Sequence, residues 1–267
     1  MKGGVPMFTS FNVKFPEYEV VTPHTHSSYT LRSLNVQEEE RLKGSLMTPS
    51  KVHEHLNKCI YDAIVNKPDT ILDYDQFLKQ VTLKDRDALL YGLYHISYEE
   101  IRNYDVTCSS CRKDYPVTVQ ASSTFNYNEY PGKDVLTKRV AVELPRTTGV
   151  VCFIRQPSLY DEMISMRTLS VQAGSNMDVI TETLVIEKFQ QDPDQGDTVI
   201  YTERGDVVDA YMSLPARDKR VIHEAYRKNF GEYGISLKMR STCGSCGEEE
   251  DIDIDLVTNF FRMVYTI

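Results

Sequence analysis

Tryptophan is absent from these 267 residues. So is any apolar run of 18 residues, the length a membrane-spanning helix needs. The opening residues, Met1-Lys-Gly-Gly-Val-Pro-Met, carry no apolar segment of the secretory kind. These absences predict a chain that stays in a reducing cytosol, where paired cysteines favour metal over disulfide. Runs of Lys and Arg are missing as well. The formal charge is −9, with 15 cations against 17 acids in residues 1–133 and 15 against 22 in 134–267. Nucleic-acid backbones are held by clustered cations, so nucleic acid is an unlikely partner. Catalytic signatures are lacking too: there is no Walker A loop, no HExxH and no GxSxG. No active site is legible, and the chain is read as a non-enzyme.

What is present is a pair of cysteine motifs, Cys108-Ser-Ser-Cys111 and Cys243-Gly-Ser-Cys246. Each follows an alternating apolar run, Ile101–Val106 and Ile235–Met239. Each precedes another, Tyr115–Val119 and Asp251–Leu256. The order is strand, cysteine turn, strand, written twice. Two thiolates three positions apart can close on one ion from a tight turn, and four complete a tetrahedral zinc site. The pattern therefore predicts one structural zinc per chain on Cys108, Cys111, Cys243 and Cys246. Such a site keeps no open coordination position for water, which argues against catalysis. A thioredoxin-like reading would set CxxC at the start of a helix, whereas strands follow these cysteines. A zinc-ribbon nucleic-acid-binding or transcription-accessory protein is the alternative, and the acidic balance weighs against it.

The 131 residues between the two motifs are far too many for a local zinc finger. Internal similarity offers an explanation. Asn12–Pro16 resembles Ala141–Pro145, and Asp75–Asp87 echoes Asp209–Asp218, each ending in Arg-Asp before a helical stretch. The expected fold is α+β, with two pseudo-repeated halves at 1–133 and 134–267. Each half would hold helices and a β-hairpin zinc knuckle, the two knuckles sharing one site. Asn35-Val-Gln-Glu38 and Ser158-Leu-Tyr-Asp161 fit capping boxes, and Thr48-Pro49 is a further helix start. Val52, Leu56, Ile60 and Ile64 mark an amphipathic helix. On it, Cys59 is expected half-buried beside a surface His55. Residues 214–230 are expected to be helical. His24 and His26 read as exposed loop residues, Cys152 as core, Asn126–Gly132 as a junction turn, and Leu256–Val264 as a closing helix. Tyr127–Tyr130 and that closing helix are the candidate contact elements.

The segment Asp105-Val-Thr-Cys-Ser-Ser-Cys-Arg-Lys-Asp-Tyr-Pro-Val-Thr-Val119 follows a helical region containing Leu31–Glu39 and Asp85–Tyr91. The second motif lies in Met239–Glu248, ahead of Leu256–Val264. This layout resembles the T-even-type baseplate hub subunit family of contractile-tailed bacteriophages. The resemblance spans most of the chain in order of elements and is residue-specific only around the cysteines. It implies a structural or assembly protein, chaperone included, of the baseplate hub. It further implies hub proteins and the tape-measure protein as partners. The host cytoplasm during assembly, and the virion tail baseplate, are the implied locations.

Overall fold

The computed structural model describes residues 14–44, 49–98, 101–120, 125–170, 177–192 and 198–254. Among them it is a mixed α+β fold of several small sheets and eight α-helices. Strands β1 (Glu17–Val21) and β2 (Ser28–Arg32) form an antiparallel hairpin, which β3 (Ile64–Asn66) extends on the β2 side. Helices α1 (Val36–Gly44), α2 (Pro49–Ala63), α3 (Tyr74–Gln80) and α4 (Leu83–Tyr98) complete this region. Its core joins Tyr29, Leu31, Leu56, Ile60, Phe77, Leu89, Leu90 and Leu93. Most of α4 from Asp85 to Tyr94 is buried, so its apolar residues ring the helix instead of forming one stripe. Gly92 is required there, because a Cβ would collide with the Val20 side chain on β1.

The second region opens with β7 (Val140–Glu143) and β8 (Val150–Ile154), followed by α5 (Leu159–Ser170) and α6 (Met177–Thr183). Strands β9 (Ile186–Gln191) and β10 (Val199–Tyr201) complete a sheet ordered β10-β9-β8-β7. Helices α7 (Arg204–Ser213) and α8 (Ala216–Tyr226) cover it, and a π-helical turn spans Arg227–Gly231. Cys152, Ile154, Ile186, Phe189, Tyr211 and Ile222 form this core. Cys152 is fully buried, as the sequence predicts.

Polar side chains set several entry angles. Asn35 and Glu38 exchange hydrogen bonds between backbone N–H and side chain, each at 3.0 Å, the expected capping box. Arg32 grips Glu38 with two bonds of 2.6 and 3.0 Å. In the second region Ser158 caps α5 with Asp161, and Arg155 grips Asp161 at 2.6 and 2.7 Å. Asp85, third residue of α4, accepts the His24 backbone N–H at 2.8 Å from the β1–β2 loop. Asp218, third residue of α8, accepts the Arg146 N–H at 3.0 Å from the β7–β8 loop. Both aspartates are fully buried.

The two regions are joined by a seam. Leu159 N–H donates to the Val81 carbonyl at 3.0 Å. Arg86 on α4 meets Glu162 on α5 with both terminal guanidinium nitrogens, and His53 Nδ1 lies 3.3 Å from the same carboxylate. Arg86 and Glu162 are only 5% and 3% exposed.

Several expectations are corrected here. His24 is fully buried rather than exposed: Nε2 lies 3.2 Å from the Tyr233 carbonyl and Nδ1 3.4 Å from Thr82 Oγ1. Burial holds its pKa down at about 4. His26 is half-buried, with Nε2 3.1 Å from the Gly132 carbonyl. The junction turn begins as a strand, β6 (Phe125–Asn128), because Phe125–Asn128 pairs with Gly234–Leu237. Tyr130 is 3% exposed and stacks on Phe230, so it is core and no contact residue. Cys59 is buried outright while His55 is exposed. The closing helix Leu256–Val264 lies outside the described residues.

Candidate metal centre

The first cysteine turn joins β4 (Ile101–Thr107) to β5 (Asp114–Gln120), paired antiparallel from Ile101↔Gln120 to Thr107↔Asp114. The second joins β11 (Gly234–Thr242) to β12 (Glu249–Ile254), paired from Leu237↔Ile254 to Thr242↔Glu249. The two turns have the same hydrogen bonds. Cys108 N–H donates to the Lys113 carbonyl at 3.0 Å, and Cys243 N–H to the Glu248 carbonyl at 2.8 Å. Arg112 N–H returns to the Cys108 carbonyl at 3.0 Å, and Gly247 N–H to the Cys243 carbonyl at 2.9 Å. The residue four beyond the first cysteine is left-handed in both, Arg112 at φ 61° and Gly247 at φ 78°. Glycine suits that conformation, and arginine adopts it against Cβ sterics.

The turns meet tip to tip. Cys108 Sγ lies 3.6 Å from Cys246 Sγ, and Cys111 Sγ lies 3.7 Å from Cys243 Sγ. All four sulfurs fall within 4.8 Å of one another. These spacings exceed a disulfide bond of about 2.05 Å, and all four cysteines are free. The 3.6 and 3.7 Å spacings are close to the edge of about 3.8 Å that Zn–S bonds of about 2.3 Å give in a tetrahedron. Four soft thiolates suit zinc or iron, so the donor set fits a bound metal ion. Burial falls from inside to outside: Cys108 and Cys243 are buried, Cys111 half-buried and Cys246 exposed. Tyr115 and Val117 pack behind the sulfurs, with Met239 and Ile252 beside them.

Electrostatics follow from this crowding. The Ser245 backbone N–H, and then that of Cys246, face the Cys243 sulfur and hold its thiol down at about 7. The backbone N–H of Glu248 favours a thiolate at Cys246. Desolvation and the three neighbouring sulfurs outweigh it and push Cys246 up to about 12. Four negative sulfurs cannot share this volume without a cation.

One residue beside the sulfurs was not legible in the sequence. Glu250 on β12 accepts the Ser109 backbone N–H at 2.6 Å and the Ser109 hydroxyl, and the Tyr115 hydroxyl lies 3.4 Å away. Ser109, hydroxyl first and then backbone, holds the Glu250 carboxyl below the usual carboxylate range. This clamp ties one ribbon to the other beside the sulfurs. In sequence Glu250 is one of four consecutive acids, Glu248–Asp251, and nothing local distinguishes it.

The model of the family described as T4 bacteriophage base plate protein matches residues 15–262. The chain belongs to that family. Membership identifies a structural protein of the phage baseplate, hence a component of the virion tail in contact with other baseplate proteins. Comparison with curated proteins and with solved structures produced no match. Among the described residues no helix is long and apolar enough to cross a membrane.

Proposed function

We propose that this baseplate protein is a non-enzymatic member of the tail hub, working through contacts with hub proteins and the tape-measure protein. One zinc ion on Cys108, Cys111, Cys243 and Cys246 would hold its two cysteine ribbons together. The observation that carries the reading is the family match over nearly the whole chain, joined to four thiols whose sulfurs lie within 4.8 Å of one another. The zinc would act as a structural tie, because four protein ligands leave no place for a reacting water.

The chain is further read as two pseudo-repeats, residues 1–133 and 134–267, each giving half of the metal site. Support comes from paired devices in the same chain order. Arg32–Glu38 matches Arg155–Asp161, each an arginine six residues before the acid that caps the next helix. Asp85 matches Asp218 as the buried third helical residue holding its own hairpin loop. Arg112 matches Gly247 within the cysteine turns. In this pairing the counterpart of Asp218 is Asp85, not the Asp87 suggested by the Arg-Asp echo. Pro16 precedes β1 whereas Pro145 follows β7, so that echo does not mark equivalent positions. Strand β6 pairs across the proposed boundary with β11, which would interlock the repeats.

The test is co-expression of the tagged chain with each tail protein of its phage, alongside metal analysis of the purified product. Copurification of a hub or tape-measure protein, with one zinc per chain, is expected. A chain that captures no tail protein but binds DNA tightly at low salt would replace this reading with the zinc-ribbon nucleic-acid one.

A further inference from the structure

Strand β1 is the outer strand of its sheet, and the parity of its hydrogen bonds can be worked out. Thr22 N–H donates to the Ser27 carbonyl and Ser33 N–H to the Pro16 carbonyl. With register Glu17↔Arg32 through Val21↔Ser28, even-numbered residues bond to β2 and odd-numbered ones face outward. The backbone groups of Glu17, Glu19 and Val21 therefore line the outer edge, which pairs with no further strand among the described residues. Strand β6 is likewise the outer strand of the β12-β11-β6 sheet. The two edges are joined at one end. Tyr130 N–H donates to the Pro23 carbonyl at 2.8 Å, and the Tyr127 hydroxyl to the Val21 carbonyl at 3.2 Å.

Between them lies a cleft of about 270 Å³, floored by Ala88 and Tyr91 of α4 and walled by Tyr18, Glu19, Tyr127 and Glu129. Among the described residues that line it there is no Lys or Arg. Glu19 and Glu129 are exposed, as is Glu17 at the end of the same edge. Val21 is 45% exposed and Tyr127 37%. An outer ladder edge supplies backbone pairing, the tyrosines supply aromatic area, and the carboxylates select a cation.

We propose that this cleft receives an extended segment bearing Lys or Arg from another baseplate protein, added as a strand to the outer edge of β1. The inference rests on the reading above that the chain works by protein contact. Charge decides the occupant. A second copy would bring an acidic chain of net charge −9 to an acidic cleft. The chain's own residues 1–13 include the strand formers Phe8, Thr9, Phe11 and Val13, but their one basic side chain, Lys2, lies well ahead of them. A basic partner satisfies both the ladder and the carboxylates.

The experiment places a photoreactive benzophenone amino acid at position 21, which lines the cleft and carries no charge, and at the exposed position 206 as a control. The chain is co-expressed with the tail proteins of its phage. Crosslinked peptides are identified by mass spectrometry. In parallel, recovery of tail proteins is compared between the wild type and a Glu19→Lys/Glu129→Lys variant whose unfolding midpoint is checked. Crosslinking from position 21 to a basic segment of one tail protein is expected, with recovery falling roughly tenfold in the variant. If the variant recovers its partner undiminished, or position 21 crosslinks to no tail protein, only to residues 1–13 or only to a second copy, the cleft assignment is wrong and the protein-contact reading stands. If the wild type captures no tail protein, that reading fails and takes the cleft with it.

Discussion

Replacing Glu162 by Gln tests the energetics of the seam most directly. The amide keeps the shape of the side chain and removes its charge. Arg86, 5% exposed, would then be a buried cation without its counter-ion, since Glu162 accepts from both its terminal nitrogens. Breaking a buried pair from one side costs about 3–5 kcal/mol. The titration of Glu162 gives a second, independent magnitude. Burial alone would raise its carboxyl, but the Arg86 charge, then His53, outweigh burial and hold it down at about 2. Against an ordinary value of 4.5, that difference corresponds to about 3 kcal/mol. The sign follows. The folded pKa is depressed, so the stabilisation is complete above about pH 4.5 and disappears as pH falls toward 2. Denaturant unfolding at neutral pH should therefore show Glu162→Gln about 3–5 kcal/mol less stable. That is a large part of a typical total of about 5–15 kcal/mol, and it lowers the thermal midpoint by roughly 6–20 °C. The gap from wild type should narrow steadily between pH 5 and pH 3. The double variant Arg86→Met/Glu162→Met should recover most of the loss, because an apolar pair leaves no charge to desolvate. A Glu162→Gln protein within about 1 kcal/mol of wild type at pH 7, or a double variant no better than the single one, would refute this account.

Three further outcomes are expected. Cys243→Ser, measured by metal analysis and thermal melting, should lose the bound ion and lower the midpoint by at least roughly 10 °C, since metal binding at a structural site contributes directly to folding; an unchanged melt would make the site peripheral. His24 has its folded pKa depressed to about 4 from 6.5, so its stabilisation is complete above pH 6.5 and disappears toward pH 4; wild type should lose about 3 kcal/mol over that window through this group, and His24→Gln should show a correspondingly flatter pH dependence in denaturant titrations. Gly247→Ala, at φ 78°, should cost about 1–2 kcal/mol, whereas Arg112→Gly should be neutral or stabilising by denaturant midpoint; the opposite ranking would show that the two turns are not conformationally alike.

The features visible in sequence are those whose partners lie within a few residues. The Asn35–Glu38 and Ser158–Asp161 caps are three residues apart, and their geometry follows from residue type. The alternation flanking each CxxC marks strands because side chains alternate across a strand regardless of distant neighbours. The helix from Pro49 through Ala63 announced itself by a four-residue apolar period. Positions that misled share a different property. His24 looked like loop surface because its neighbours are polar, yet Tyr233, more than 200 residues away, covers it. Tyr130 looked like interface because tyrosines cluster there, yet Phe230 and Tyr233 enclose it.

The sequence by itself determined the strands flanking each CxxC, the helices over Pro49–Ala63 and Ala216–Tyr226, two capping boxes, the acidic character and the two pairs of thiols able to hold an ion. Tertiary structure alone decided that the sulfurs of the two turns lie 3.6–3.7 Å apart, that Glu250 reaches Ser109, and that Arg86 and Glu162 share a buried seam. The physical reason is range. Local propensity acts over three or four residues, the length of a helical turn or a hairpin loop, and residue types reveal it directly. Burial and pairing across 76 or 141 residues depend on how whole elements pack, and no local window of sequence encodes that.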